Sequence, residues 1–177
     1  MRFIGGFICA LALLAVAGIV FAYSGGFDVA ASSPHYAFVR WLFNASMKHS
    51  VIARATVDEP PPFTDKMTRV GFQHYAEMCT TCHGAPGMER SEIGKGLNPQ
   101  APALSNEVKA WTPQQLFWII KHGVRMTGMP SFGATHDDDE VWSIVAFIEK
   151  LAGMSPEQYR RMKQELSADD HEQMSHH

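Results

Sequence analysis

Cys79-Thr80-Thr81-Cys82-His83 constrains this chain more than any other stretch. A C-x-x-C-H run is the attachment sequence of a c-type haem. Two thiols at this spacing reach one porphyrin edge and add across its vinyl groups as thioethers. The imidazole next to them is turned under the ring as the proximal iron ligand. The motif is short, so it gains weight only if the chain is exported and a second iron ligand lies downstream. A structural zinc site would need a second ligand pair at finger-like spacing. The remaining cysteine, Cys9, lies in an apolar segment and supplies none. A thioredoxin-like C-x-x-C would sit in a βαβ context, and no such pattern is visible.

Export is supported at the N-terminus. Phe3 to Ala22 is an uncharged, almost wholly apolar run of 20 residues. At about 1.5 Å per residue it spans roughly 30 Å, the thickness of a hydrocarbon core. The hydrophobic part of a signal peptide is usually shorter, so a retained anchor is favoured. Val20-Phe21-Ala22 also fits a small-x-small cleavage site, which is the alternative. Arg2 beside the run places the N-terminus inside and the rest of the chain outside, facing the periplasm of a bacterial inner membrane.

The chain reads as four regions: 1–23 as anchor, 24–62 as linker, juxtamembrane helix and hinge, 63–153 as haem domain, and 154–177 as a short helix and polar tail. Ser24 to Pro34 is rich in Gly, Ser and Ala and reads as a linker. His35 to Ala55 reads as a helix, with Phe38, Trp41, Leu42, Ala45 and Ile52 on one side and Arg40, Lys48, His49 and Arg54 adding positive charge. That apolar side suits either a membrane or partner surface, or the haem domain itself. Val57-Asp58-Glu59-Pro60-Pro61-Pro62 ends it, because three prolines stiffen the chain and cannot continue a helix.

Within the haem domain the pattern is helical throughout. Asp65 is placed to cap Lys66 to Met78, which leads into the haem motif. Gly84 to Trp111 is loop-like, with four Gly and three Pro. Thr112-Pro113-Gln114-Gln115 is a helix start for Pro113 to His122, which Gly123 ends. Asp137 to Glu140 places acids at the start of a helix over Asp138 to Leu151, where they suit its dipole. A last helix opens at Ser155-Pro156 and reaches about Leu166, before a polar tail containing His171, His176 and His177. The net charge of −3 gives no case for nucleic-acid binding, and beyond Pro62 the chain carries 11 Lys/Arg against 15 Asp/Glu.

The second ligand is sought in Gly123-Val124-Arg125-Met126-Thr127-Gly128-Met129-Pro130. A thioether is a neutral, soft ligand that favours ferrous iron and raises the potential. Met129 stands between a Gly that permits close approach and a Pro that stiffens its presentation. Met126 and Met88 are its rivals. Arg125 is a candidate partner for a haem propionate. His122 suits the negative end of its helix, and Phe117 and Trp118 read as pocket packing.

From Lys66 to Leu151, about half the chain, the sequence resembles the class I cytochromes c, and within them the monohaem domains of cbb3-type oxidase cytochrome subunits. The order is the same: helix, C-x-x-C-H, loop, helix, methionine loop, C-terminal helix. Gly71 and Tyr75 stand eight and four residues before Cys79, where that family has a Gly and an aromatic facing the C-terminal helix. The partners implied here are Ile144 and Phe147, with Trp142 nearby. The resemblance also implies that Pro102 offers its carbonyl to the proximal His83 and that Leu104 packs on the ring.

The fold expected is therefore all-α: a class I cytochrome c fold with an N-terminal transmembrane helix and a juxtamembrane helix. The function expected is one-electron transfer by one covalent haem c, held by Cys79 and Cys82 and ligated by His83 and Met129. The chain would be a carrier, or a subunit of a larger complex, rather than an enzyme in itself. Its partners would be the membrane and a dehydrogenase, a quinol-oxidising complex or a terminal oxidase. The alternative is a haem sensor or peroxidatic enzyme with an open or displaceable sixth position.

Overall fold

The computed structural model describes residues 2–56 and 59–175. Val57 and Asp58 of the expected hinge, and His176 and His177 of the tail, lie outside the described residues. The chain divides into two units, one ending at Pro34 and the other running from His35. Among the described residues there is no β-strand, only an isolated bridge between Ala85 and Met88.

The first unit is a single long helix, α1 (Arg2–Tyr23), and the turn after it. Phe3–Tyr23 has a mean hydropathy of 2.6 and is long and apolar enough to cross a membrane. Ser24 closes α1 by bonding back to the Phe21 carbonyl, and Gly25 takes a positive φ of 70°. Asp28 then gathers the Ala30 amide and the Ser33 hydroxyl. These two bonds, Ser33 first, hold its carboxyl below the usual range.

The second unit opens with α2 (Ala37–Arg54), which packs against α7 (Pro113–His122) with Val51 fully buried. The core is a crossing of α3 (Asp65–His74) with α8 (Asp138–Leu151). Gly71 makes that crossing possible: a Cβ there would stand 1.8 Å from the Ser143 carbonyl oxygen and 3.0 Å from the Ile144 Cα. Around the crossing, the Phe147 ring meets Phe72 at 5.2 Å and Tyr75 at 5.1 Å between centroids. Phe117 of α7 stacks on Trp142 of α8 at 4.3 Å, so this ring joins two helices.

Helix ends obey local chemistry. Thr112 and Asp137 each form a reciprocal capping box, with Gln115 and Glu140 respectively. Asp65, expected as a cap, is instead the first residue of α3. Thr64 caps it, its hydroxyl accepting from the Met67 amide at 3.2 Å, and the Asp65 carboxylate sits in the first turn where the dipole favours it.

Two other expectations are corrected. The segment from Gly84 to Trp111 is not featureless: it holds α5 (Glu92–Lys95), α6 (Leu104–Glu107) and a 3₁₀ turn at Val108–Ala110. One-turn helices are too short to show an apolar period, and Ser91 starts α5 by accepting from the Gly94 amide at 3.2 Å. The last helix, α9 (Pro156–Ser175), continues past Leu166 to Ser175. Its distal part, Ser167 to Ser175, has no apolar period that would mark a helix in the sequence. Its first turns belong to the core, because Tyr159 is 1% exposed and its ring lies 5.3 Å from Phe72.

Candidate haem site

The α3 helix does not run unbroken into the C-x-x-C-H motif. It loosens into a π turn over Tyr75–Cys79, where the Thr80 amide reaches back to the Tyr75 carbonyl, and then tightens into α4 (Thr80–His83). Such one-turn π segments recur at functional sites because they rotate the downstream residues relative to the helix before them. The Thr80 hydroxyl bonds the Ala76 carbonyl at 2.9 Å within this turn. The sequence carries no visible signal for the insertion, since the residue types are those of an ordinary helix.

The π turn delivers Cys79 to the core and leaves Cys82 half-buried one turn on, the two close together and both free thiols. Burial pushes the Cys79 thiol up to about 12, with the neighbouring Cys82 adding to the shift. A buried site that disfavours thiolate suits a neutral thioether. Gly84 ends the motif at φ 68°, and its carbonyl accepts from the buried Tyr75 hydroxyl at 2.8 Å. Burial raises the Tyr75 phenol far above its ordinary value, so it keeps the proton that it donates to Gly84.

His83 is half-buried, and its Nδ1 donates to the Pro102 carbonyl at 2.8 Å. The acceptor is a carbonyl, so Nδ1 carries the proton and the neutral ring presents Nε2 as a lone pair. Burial lowers the basicity of His83, and the Arg90 guanidinium lowers it further; the Pro102 bond works in the opposite sense. A neutral imidazole with one nitrogen fixed by a backbone carbonyl is the form that binds a metal.

Arg90 carries no sequence signal of its own, yet it is part of this site. One guanidinium nitrogen donates to the Ala101 carbonyl at 2.7 Å, next to Pro102. Its Nε is buried with no hydrogen-bond partner. A cavity of about 420 Å³ opens beside His83, with Tyr75, Met88, Arg90, Gln100 and Ser105 among its walls. A buried donor without an acceptor fits a site completed by a group the chain does not itself provide. Arg125, the arginine singled out from sequence, is exposed.

Leu104 is half-buried against the core at the start of α6. Met129 is likewise half-buried against the core, in a loop braced at both ends. The Val124 amide donates to the Met129 carbonyl at 3.2 Å, and the Met129 amide to the Thr127 hydroxyl at 3.1 Å. Gly123, at φ 65°, lets Pro130 approach so closely that a Cβ would stand 2.6 Å from the Pro130 carbonyl. Met126 differs from Met129 in both respects: it is 75% exposed and takes a positive φ of 61°. Met88 lies on the cavity wall and is 42% exposed.

Comparison with known proteins bears on this arrangement. Residues 66–148 match the family model described as cytochrome C oxidase, cbb3-type, subunit III. By this match the region is similar to the monohaem c-type cytochrome domains. The family implies a covalently attached haem c, with the paired thiols of Cys79 and Cys82 as its natural attachment points. Among solved structures, the protein is similar to a chain of a reducing HAO-like protein complex of Kuenenia stuttgartiensis, at 22% identity and a TM-score of 0.41, over 54% of this chain and 49% of that one. The protein thus spans about half the length of that chain. It is also similar to the c-type cytochrome XoxG from Methylobacterium extorquens AM1, at 18% identity and a TM-score of 0.39, over 71% of this chain and 79% of that one. No curated protein matches the sequence.

Proposed function

We propose that this protein is a membrane-anchored electron carrier with one haem c, bound through Cys79 and Cys82 and ligated by His83 and Met129. The haem iron, when bound, supplies a one-electron couple. The observation that most supports the reading is the 2.8 Å bond from His83 Nδ1 to Pro102, which fixes the tautomer and the plane of the ring directly after the paired cysteines.

The other residues have supporting roles. Met129, braced by bonds of its backbone to Val124 and Thr127, would offer its sulfur from a loop held in shape by those bonds. Leu104 and the Phe72–Phe147 cluster exclude water from the interior. With His83 and Met129 both holding the iron, the group would change charge with little rearrangement of the protein and would offer no open position to oxygen. On this reading α1 holds the domain at the outer face of a bacterial inner membrane, and 24–62 links it to the haem domain. An anchor confines the search for a partner to two dimensions and raises the effective concentration. The partners would be a dehydrogenase, a quinol-oxidising complex or a terminal oxidase, with the protein serving as a free carrier or as their cytochrome subunit.

The test is the visible and near-infrared spectrum of both oxidation states after expression in a host that matures c-type haem. A low-spin spectrum with a ferric sulfur-to-iron charge-transfer band, lost in Met129→Ala, is expected. A high-spin spectrum would leave the site open and favour a gas sensor or peroxidatic enzyme; a band indifferent to that substitution would assign the sulfur to another residue.

A further inference from the structure

The helix α2 carries two apolar faces, and only one is used by the fold. At helical spacing Val39, Met47, Ser50 and Val51 fall on one side; Val51 is 1% exposed and the other three are half-buried. This is the side that meets the cytochrome domain. Phe38, Trp41, Leu42 and Ile52 fall on the opposite side and are 68, 62, 43 and 46% exposed. The Phe38 and Trp41 rings lie 5.8 Å apart on that face, and Tyr36, 75% exposed, stands at its entrance. Of the apolar side legible in the sequence, only Ala45 is half-buried, and its four large residues are exposed. A cluster of four large apolar side chains left in water is the mark of an interaction surface.

We infer that this second face lies on the surface of an anionic phospholipid bilayer, with the side chains of Phe38, Trp41 and Leu42 inserted between the headgroups. The inference rests on α1 being a membrane anchor. The 13 residues between Tyr23 and Ala37 reach at most about 45 Å, so α2 can never be far from the bilayer that holds α1. The aromatic residues are those that favour the headgroup zone, where a ring with a polar edge is partly wetted. Charge points the same way. From Val29 to Thr56 there is no Asp or Glu, while Arg40, Lys48 and Arg54 are present. Beyond Pro62 acidic residues outnumber basic ones, so an anionic surface would repel the cytochrome domain without this helix. With one face on the domain and the other on lipid, α2 would set the height and tilt of the haem domain above the membrane.

The full-length, haem-loaded chain is reconstituted in nanodiscs of phosphatidylglycerol and phosphatidylethanolamine, with and without acyl-chain-brominated lipid. An environment-sensitive fluorophore is placed on Leu42→Cys, or on the exposed Lys109→Cys, each in a Cys9→Ser background; a third sample carries the label on Cys9 itself. Expected is roughly threefold stronger quenching by brominated lipid at Leu42→Cys than at Lys109→Cys, falling to the Lys109→Cys level when Phe38→Glu and Trp41→Glu are added. Equal quenching at the two positions, with Cys9 strongly quenched, overturns the inference and leaves the anchor intact. No quenching at Cys9 overturns the anchor and the inference with it. A blue-shifted but unquenched label at Leu42→Cys means protein covers the face, a second copy or a partner, and also overturns the inference.

Discussion

Nδ1 of His83 lies 2.8 Å from the carbonyl oxygen of Pro102, and Arg90 holds the carbonyl just before it at 2.7 Å. The loop that orients the imidazole is therefore itself pinned, by a cation that also depresses the basicity of that imidazole. Arg90→Gln removes the positive charge and loosens the Ala101–Pro102 segment together. Loss of a nearby cation stabilises ferric over ferrous haem. The reduction potential is expected to fall by something on the order of 30 mV, with Arg90→Lys recovering part of the shift. Potentiometric titration of both variants checks this. A potential unchanged in Arg90→Gln would show that the guanidinium is only a brace.

A second prediction concerns the α3–α8 crossing. Gly71→Ala would force a methyl into a space 1.8 Å from the Ser143 carbonyl, and the obstacle is backbone, which cannot swing aside. The helices must part, and Phe72, Tyr75 and Phe147 lose their packing with them. The expected cost is about 3 kcal/mol or more, at the upper end for overpacking. Gly96→Ala is the control: its φ is −85° and the nearest atoms to a new Cβ are at 3.6 Å. It should change stability by no more than about 0.5 kcal/mol. Chemical denaturation of the two variants beside the parent decides.

How much of this was legible beforehand varies with the range of the interaction. The boxes at Thr112 and Asp137 depend on residues three apart, so their sequences state them directly. Gly71 opposite α8 was legible only through family resemblance, because a glycine in a helix by itself says nothing about its partner. The exposed side of α2 shows the limit of periodicity. Two apolar faces on one helix give no rule for which is buried, and that depends on where α7 lies. Arg90 is a further case. Its importance arises from meeting Ala101 across a loop, and no local pattern encodes that meeting. Tyr159 was hidden because its short stripe with Met162 and Leu166 on α9 does not name what it packs on, and its ring partner, Phe72, lies far upstream.

Tyr159 also gives a third prediction. The ring is 1% exposed, and burial pushes its phenol up to about 12, so it is neutral across the physiological range. Tyr159→Ala would open a cavity beside Phe72 and is expected to cost about 3–5 kcal/mol. Tyr159→Phe keeps the ring and should cost no more than about 1 kcal/mol. Thermal melts of the two variants separate packing from the hydroxyl. Equal melts would mean that α9 is not part of the stable core.

The methionine loop yields the last prediction. Gly123 combines a φ of 65° with the closest backbone approach in that loop, so an alanine there suffers twice: a strained conformation and a Cβ 2.6 Å from Pro130 and 2.8 Å from the Met129 carbonyl. The strain cannot be relieved within α7, whose last turn is fixed by the Gly123 amide bonding to the Ile119 carbonyl at 2.8 Å. Relief must come from moving Met129 and Pro130 outward. If Met129 is the sixth ligand, Gly123→Ala weakens the ferric sulfur-to-iron band and lets carbon monoxide reach ferrous iron, while the c-type haem stays covalently bound through Cys79 and Cys82. Gly133→Ala tests specificity. Its nearest obstacle is the Lys121 side chain at 2.8 Å, which is half-buried and flexible, although the Lys121 carbonyl stands close behind at 2.9 Å. That variant should lose stability without losing the band. Loss of the band in both variants would trace the effect to general loosening of the domain; a band that survives Gly123→Ala would show that the loop absorbs the strain without moving the sulfur.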